Sequence, residues 1–299
     1  MVDNKGLVGS VRFVEYLVPR VQRLGIYLAL VVFAAYYLMP LFVMLTTSLK
    51  SLDEIRTGSF ISLPRDIDFS SWKIAWSEAC TGVKCNGLKP YMLNSFLIAI
   101  PAVAISTMVG ALNGYTLSHW KFKGANLIFG MMLFGCFVPF QVILLPMAIV
   151  LGKLGVAGSI SGLVLVHVVY GLGFTTLFFR NYFVTVSNEI TRAAKIDGAG
   201  FFRIFYSIFL PLSAPIFVVT IIWQFTQIWN DFLFGVSFSQ AGTQPVTVAL
   251  NNIVNSTTGV KQYNVDMAAA ILAALPTLLV YILAGKYFIR GLTAGAVKG

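Results

Sequence analysis

The chain has 299 residues and a net charge of +10; 58% of its residues are hydrophobic and 11% charged, where a soluble domain carries about 25% charged residues. With so few polar side chains it cannot cover a water-facing surface, so its main solvent is lipid, and the secreted, cytosolic and disordered classes drop out. The basic residues do not gather on one soluble face, so they are no footprint for nucleic acid. In chain order, the charge-poor stretches are Leu24 to Leu49, Pro90 to Trp120, Gly124 to Gly152, Leu154 to Phe179, Ile204 to Asn230 and Met267 to Gly285. Each exceeds the roughly 18 apolar residues that separate a spanning helix from a buried one. They do not alternate apolar with polar as barrel strands do, and lipid leaves no backbone group unpaired, so they read as helices. Pro40, Pro101, Pro139, Pro146 and Pro276 read as kinks inside them. The expectation is an all-α integral membrane protein of six transmembrane helices, with no second folded domain and no cleaved signal peptide.

Orientation follows from the basic residues. Six spans put both termini on one side, with the loops at 119–123 and 180–203. That side holds 13 of the 21 Lys and Arg residues and four acids, and the opposite side eight basic residues and seven acids. The basic side is expected to be cytoplasmic. The one sizeable outer loop, Lys50 to Lys89, contains Cys80 and Cys85. An oxidising compartment permits a disulfide between them, and a pair of free thiols stays equally open. Cys136 reads as a small packing residue.

Several activities lack their residues. No Asp or Glu occurs between Glu78 and Glu189, an interval that spans three helices, whereas ion-coupled carriers usually keep ionisable groups in the membrane. The phosphate-cradling pattern G-x-x-x-x-G-K-[ST] is absent, since Gly152-Lys153 is followed by Leu and Gly285-Lys286 by Tyr. The two histidines, His119 and His167, assemble no metal site alone. His167 reads as a packing residue ahead of a proton relay.

The loop from Ser187 to Leu212 carries the strongest local pattern. Ser187 can cap a helix that starts at Asn188, with Glu189 in its first turn, where the dipole favours an acid. Glu189 and Arg192 are spaced to pair. Ala193 and Ala194 make a smooth face, and Gly198 can leave the helix in the left-handed region. A second short amphipathic helix then carries Phe201, Phe202 and Phe205 toward Pro211. The result is a bent helix pair shaped for a groove of another protein, or for a membrane surface.

The order Glu-x-x-x-Ala-Ala-x-x-Asp-Gly-Ala in this loop resembles the EAA loop of permease subunits of ATP-binding-cassette importers. Asp53-Glu54-Ile55, Asn94-Ser95, Trp229-Asn230-Asp231-Phe232 and the tail from Arg290 to Gly299 are similar to the carbohydrate importers, the tail in particular to the maltose-type permease. The resemblance implies a type I importer permease fold with a cytoplasmic coupling helix. It divides the chain into an N-terminal cytoplasmic segment 1–23, a permease domain 24–289 with the EAA loop at 180–210, and a cytoplasmic tail 290–299. It implies that Glu189, Arg192, Ala193, Ala194, Asp197, Gly198 and Ala199 dock an ATPase subunit, and that Gly291, Thr293, Gly295 and Lys298 reach between the two ATPase subunits. Arg192 stands where the family usually has an acid. Implied partners are a second, homologous permease in a heterodimer, an ATPase dimer that binds ATP and Mg, a periplasmic or lipid-anchored sugar-binding protein, and membrane lipid. This chain itself is expected to hold no cofactor and no metal and to be no enzyme. The implied location is the bacterial or archaeal cytoplasmic membrane.

For a substrate path, Gln224, Gln227 and Asp231 recur at three- and four-residue spacing beside Trp223 and Trp229, followed by Asn230, while Asn113 and Gln141 add single amides. These residues suit sugar hydroxyls, and they suit hydrogen bonds between helices equally well. The Cys80–Cys85 loop and Gln244 to Asn252 look most like the glucose or mannose permeases, ahead of trehalose or maltose and then glycerol phosphate. An importer subunit ranks ahead of an independent carrier and of a membrane scaffold.

Overall fold

The computed structural model describes residues 5–59, 61–82, 84–120, 122–256 and 260–296, with side chains from Gln22 to Gly285 within them. The helices in chain order are α1 (Lys5–Ser48), α2 (Leu52–Thr57), α3 (Ser70–Ser77), α4 (Lys89–His119), α5 (Ala125–Cys136), α6 (Phe140–Lys153) and α7 (Ile160–Phe183). They continue as α8 (Asn188–Ile196), α9 (Phe201–Ile204), a π-helical turn (Phe205–Phe209), α10 (Leu210–Leu212), α11 (Ala214–Trp229), α12 (Leu233–Phe238), α13 (Val246–Val254) and α14 (Tyr263–Ala296). Two isolated bridges, Cys80 with Cys85 and Gly158 with Ser239, are the β-structure among the described residues.

Among the described residues, four unbroken helices are long and apolar enough to cross a membrane: Gln22–Ser48, Lys89–His119, Ile160–Phe183 and Tyr263–Gly285. The count reaches six when each of two bent pairs is one span. The expected third span is such a pair, since α5 and α6 meet at 105°. Pro139 fits the break: the residue before a proline avoids the helical region, so Val138 cannot continue α5, which closes at Cys136 with Phe137 as its cap, and Pro139 opens α6. The fifth span is likewise broken, by 79°, at Ser213, between Pro211 and Pro215, neither of which has an amide proton to continue the ladder. By contrast, Pro101 and Pro276 stay inside their helices. The fourth span starts later than its hydropathy suggests, because Gly155 and Gly158 take positive φ and Ser159 caps Ile160. At the two ends, α1 begins at Lys5 and α14 runs through Gly291, Thr293 and Gly295 to Ala296, so both flanks continue helices. Lys298 lies outside the described residues.

The chain divides into two units, one within Met1–Ser71 and Gln262–Ala268, the other within Trp72–Lys261 and Ala269–Gly299. In the first, the Ser71 hydroxyl donates to the Ser48 carbonyl. Lys50 is buried and donates through Nζ to the Ser59 carbonyl at 3.2 Å and to Ser62 Oγ at 3.0 Å, while its own carbonyl accepts from Asn264 Nδ2 at 3.2 Å. Asp68 accepts from the Ser70 amide and hydroxyl, each at 2.7 Å, which holds its carboxyl below the usual carboxylate range.

In the second unit, α4 and α7 form the core. A Cβ on Gly114 would stand 2.7 Å from Phe179 Cβ and from the Arg180 amide nitrogen. Only a glycine permits that approach, as small residues do where membrane helices pack. Across the same seam Thr175 Oγ1 donates to the Ser106 carbonyl at 3.0 Å, and Asn113 Nδ2 donates to Thr176 Oγ1 at 3.3 Å. Asn94 and Ser95 hold the segment before α13: Asn94 Nδ2 donates to the carbonyls of Gly242 and Gln244 at 2.9 and 3.0 Å, and Ser95 Oγ accepts from the Val246 amide at 2.8 Å. Trp229 Nε1 donates to the Ala273 carbonyl at 2.9 Å, its ring against Phe96 and Phe225. Cys80 and Cys85 are joined by a disulfide, and beside it Thr81 Oγ1 and the Tyr91 hydroxyl share a hydrogen bond of 2.6 Å.

Candidate functional site

Two places in the second unit concentrate chemistry. The first is the turn from α8 to α9. Ser187 caps α8 by accepting from the Glu189 amide at 3.2 Å. At the other end the Gly198 amide donates to the Lys195 carbonyl at 3.1 Å and the Ala199 amide to the Ala194 carbonyl at 2.9 Å, the paired bonds that close a helix through a left-handed residue. Gly198, at φ +78°, is that residue.

The two faces of α8 differ. Thr191 and Ala194 are buried, and Ala194 joins a cluster with Tyr115, Phe179, Phe183, Ile204, Phe205 and Phe209, against which Ala199 also packs. Ala194 and Ala199 were expected on the docking surface; instead they anchor the turn to its own protein, because a small side chain is what fits between α8 and the rings beneath it. Tyr115 is the hub, with ring centroids of Phe209, Phe201 and Phe205 at 4.6, 5.0 and 5.5 Å. Lys195 Nζ lies 4.0 Å from the centre of the Trp120 ring, a cation–π tether from α8 to the end of α4. The outer face exposes Glu189, Arg192, Ala193, Asp197 and Gly198. Glu189 and Arg192 do not form the ion pair their spacing allows, and both charges stand in the open. Ile196 is 86% exposed, an apolar knob between Lys195 and Asp197. It was not singled out from the sequence, where an isoleucine in an amphipathic helix reads as core.

The second place is a cavity of about 210 Å³ between α7 and α11, lined by Gln224, Gln227 and Asp231 together with His167, Tyr170 and Trp223. The spacing argument thus brings three of its six residues together. Asn113 is spent between α4 and α7, while Gln141 and Asn230 are exposed and do not line the cavity. Asp231 has a structural duty as well: its carboxylate accepts from the amides of Phe234 at 3.3 Å and Gly235 at 3.0 Å and so caps α12. His167 Nε2 lies 3.8 Å from Asp231 Oδ2, beyond hydrogen-bond reach. A larger cleft of about 740 Å³, lined by residues such as Met132, Met147, Leu165 and Val169, is almost wholly apolar and has little to orient a polar ligand.

A broken-helix membrane protein with an exposed, charged helical turn now meets its relatives. Residues 102–293 match the family described as binding-protein-dependent transport system inner membrane component. The chain belongs to that family. This permease is 38% identical to a probable ABC transporter permease of Pyrococcus horikoshii over 93% of its own length and 98% of that protein. It is 31% identical to the xylose/arabinose import permease XacI of Haloferax volcanii over 92% and 93%, and 29% identical to the glucose import system permease GlcU of Saccharolobus solfataricus over 91% and 95%. Its fold is that of a chain in a crystal structure of a bacterial ABC transporter involved in alginate import, with a TM-score of 0.75 at 21% identity, covering 90% of this chain and 97% of that one. As a permease subunit it is a transport component, not itself an enzyme, and the family's partners are an ATPase and a binding protein.

Of the polar cavity residues, sequence reasoning weighed His167 as packing and did not single out Tyr170. The one available signal was a histidine three residues from a tyrosine in the apolar first half of α7, and that pattern is more often packing.

Proposed function

We propose that the permease imports a sugar, glucose or a closely related monosaccharide, with the α8–Gly198–α9 turn as the seat of its ATPase subunit. The turn then lies in the cytoplasm, as do both termini, in keeping with the basic bias of that side. A second, homologous permease completes the pathway as a heterodimer, and a periplasmic or lipid-anchored binding protein delivers the sugar. ATP and Mg belong to the ATPase, since this sequence has no phosphate-cradling loop. ATP-driven closure of the ATPase pair moves the turn, and the aromatic cluster under it passes the movement to α4 and α7. The tail carrying Gly291, Thr293, Gly295 and Lys298 reaches between the ATPase subunits.

The observation that carries this reading is the exposed face of α8, where Ile196 stands 86% open among charged neighbours. Burying an isoleucine contributes about 1.5–3 kcal/mol, so a knob left in the open on a fixed turn suits a partner groove. The sugar rests on the named relatives, two of which import pentoses or glucose. The test is co-purification with the ATPase and partner permease, followed by ATP hydrolysis with the binding protein and glucose, xylose or maltose. Wild type is expected to hold the ATPase and to show sugar-stimulated hydrolysis, and Ile196→Glu to lose the ATPase at least tenfold. An Ile196→Glu protein that keeps its ATPase at full occupancy removes the turn as the seat.

A further inference from the structure

The cavity between α7 and α11 holds polar groups that the fold leaves short of partners. Gln224 is 2% exposed, and its Nε2 donates weakly to the His167 carbonyl at 3.4 Å, while its Oε1 is buried with no hydrogen-bond partner. A buried acceptor without a donor is costly, and proteins rarely keep one without a reason. His167, also buried, makes no side-chain hydrogen bond among the described residues, and its Nε2 stops 3.8 Å from Asp231 Oδ2. Asp231 uses its two oxygens on two amides, and an ionised carboxylate offers about four acceptor sites. Gln227, exposed on the same helix, adds an amide at the rim. One wall is aromatic: Trp223, fixed by Phe174 at 4.8 Å and Phe178 at 5.3 Å, and Tyr170, whose ring meets Phe140 at 4.9 Å.

An unsatisfied acceptor calls for a donor, and a ring N–H on His167 calls for an acceptor. A hydroxyl is both, and several hydroxyls on a ring with an apolar face match a polar edge opposite an aromatic wall. At about 210 Å³ the space falls below the roughly 300–1,000 Å³ of pockets for drug-sized ligands, so it suits one ring and not a chain of them. The cavity has carboxylate and amide acceptors and no Lys or Arg among its lining residues, which disfavours a phosphorylated sugar.

We propose that this permease itself holds a sugar-binding station, in which Gln224, His167 and Asp231 bond the hydroxyls of a single pyranose or pentose ring against Trp223 and Tyr170. The inference rests on the sugar-import reading above and adds that this subunit, and not only its partner permease, contacts the sugar in transit. His167, whose ring rests edge-on against Phe234 at 5.6 Å, supplies a ring nitrogen to the station.

The experiment uses the complete importer, with partner permease and ATPase, trapped with vanadate in the presence of radiolabelled glucose, xylose or maltose and then passed over a sizing column. Gln224→Met removes the orphan acceptor at nearly constant volume, and Gln227→Leu changes an exposed position that the fold tolerates; co-elution of the other subunits reports assembly. Wild type is expected to retain glucose or xylose, Gln224→Met to retain at least tenfold less, and Gln227→Leu about threefold less. Retention by both variants at the wild-type level overturns the station, as does a wild-type importer that takes up sugar into vesicles but retains none. Wild-type vesicles supplied with the binding protein that take up none of the three sugars overturn the import reading itself, and the station with it.

Discussion

Gly198 and Asn94 show how single residues set local geometry here. A Cβ on Gly198 would meet nothing within 4 Å, yet its φ of +78° lies where side chains are rarely tolerated. The cost of substitution is therefore backbone strain, of order 1–3 kcal/mol and greatest for a β-branched residue. Gly198→Val is expected to abolish uptake while the protein still reaches the membrane, and Gly198→Asn, which accepts the left-handed region, to keep most of it; vesicle uptake set against membrane abundance checks both. At Ser95, replacement by Ala strands the buried Val246 amide, at about 1–3 kcal/mol for a donor left without a partner, whereas Asn94→Leu frees the carbonyls of Gly242, which is exposed, and Gln244, which is half-buried, to water. Ser95→Ala should therefore lower the melting temperature in detergent more than Asn94→Leu.

At the scale of elements, the α4–α7 seam and the disulfide-closed turn carry separable predictions. Gly114 faces Phe179 so closely that any side chain must push the helices apart, so Gly114→Leu is expected to deplete folded protein from the membrane, read by protease resistance. The Tyr115 hub tests the passage of movement from turn to core. Tyr115→Phe keeps the ring stacking and should retain uptake, while Tyr115→Leu should keep the ATPase bound yet lower uptake per ATP hydrolysed at least tenfold. The Cys80–Cys85 bridge closes a loop of six residues, for which chain-entropy arguments give about 2 kcal/mol. Cys80→Ser with Cys85→Ser should cost no more than that in a denaturation series and should leave ATPase attachment unchanged. An equal loss at both places would show the two regions to be coupled.

For the whole molecule, the expectation is dependence: reconstituted alone the permease should move no glucose and hydrolyse no ATP, and adding its ATPase, partner permease and binding protein should restore both. Uptake by the isolated chain makes it a carrier and ends the importer reading. Much of this architecture was legible in the sequence because lipid imposes a coarse rule: long charge-poor runs must be helices. The cap at Ser187 and the left-handed exit at Gly198 were legible for a local reason, since each depends on residues within one turn. The 105° break at Val138 and Pro139 was not, because Pro146 sits in a similar run and stays helical; which proline bends and which is absorbed depends on what neighbouring helices leave room for. Side-chain facing was decided last. Ala194 points into the aromatic cluster while Ile196 stands open, and Asn113 is spent in a seam while Gln224 keeps an orphan oxygen beside a cavity. Periodicity places such residues on faces of a helix, but only the packing of distant segments settles which face is covered, because burial and hydrogen-bond satisfaction are properties of pairs that the chain brings together from far apart.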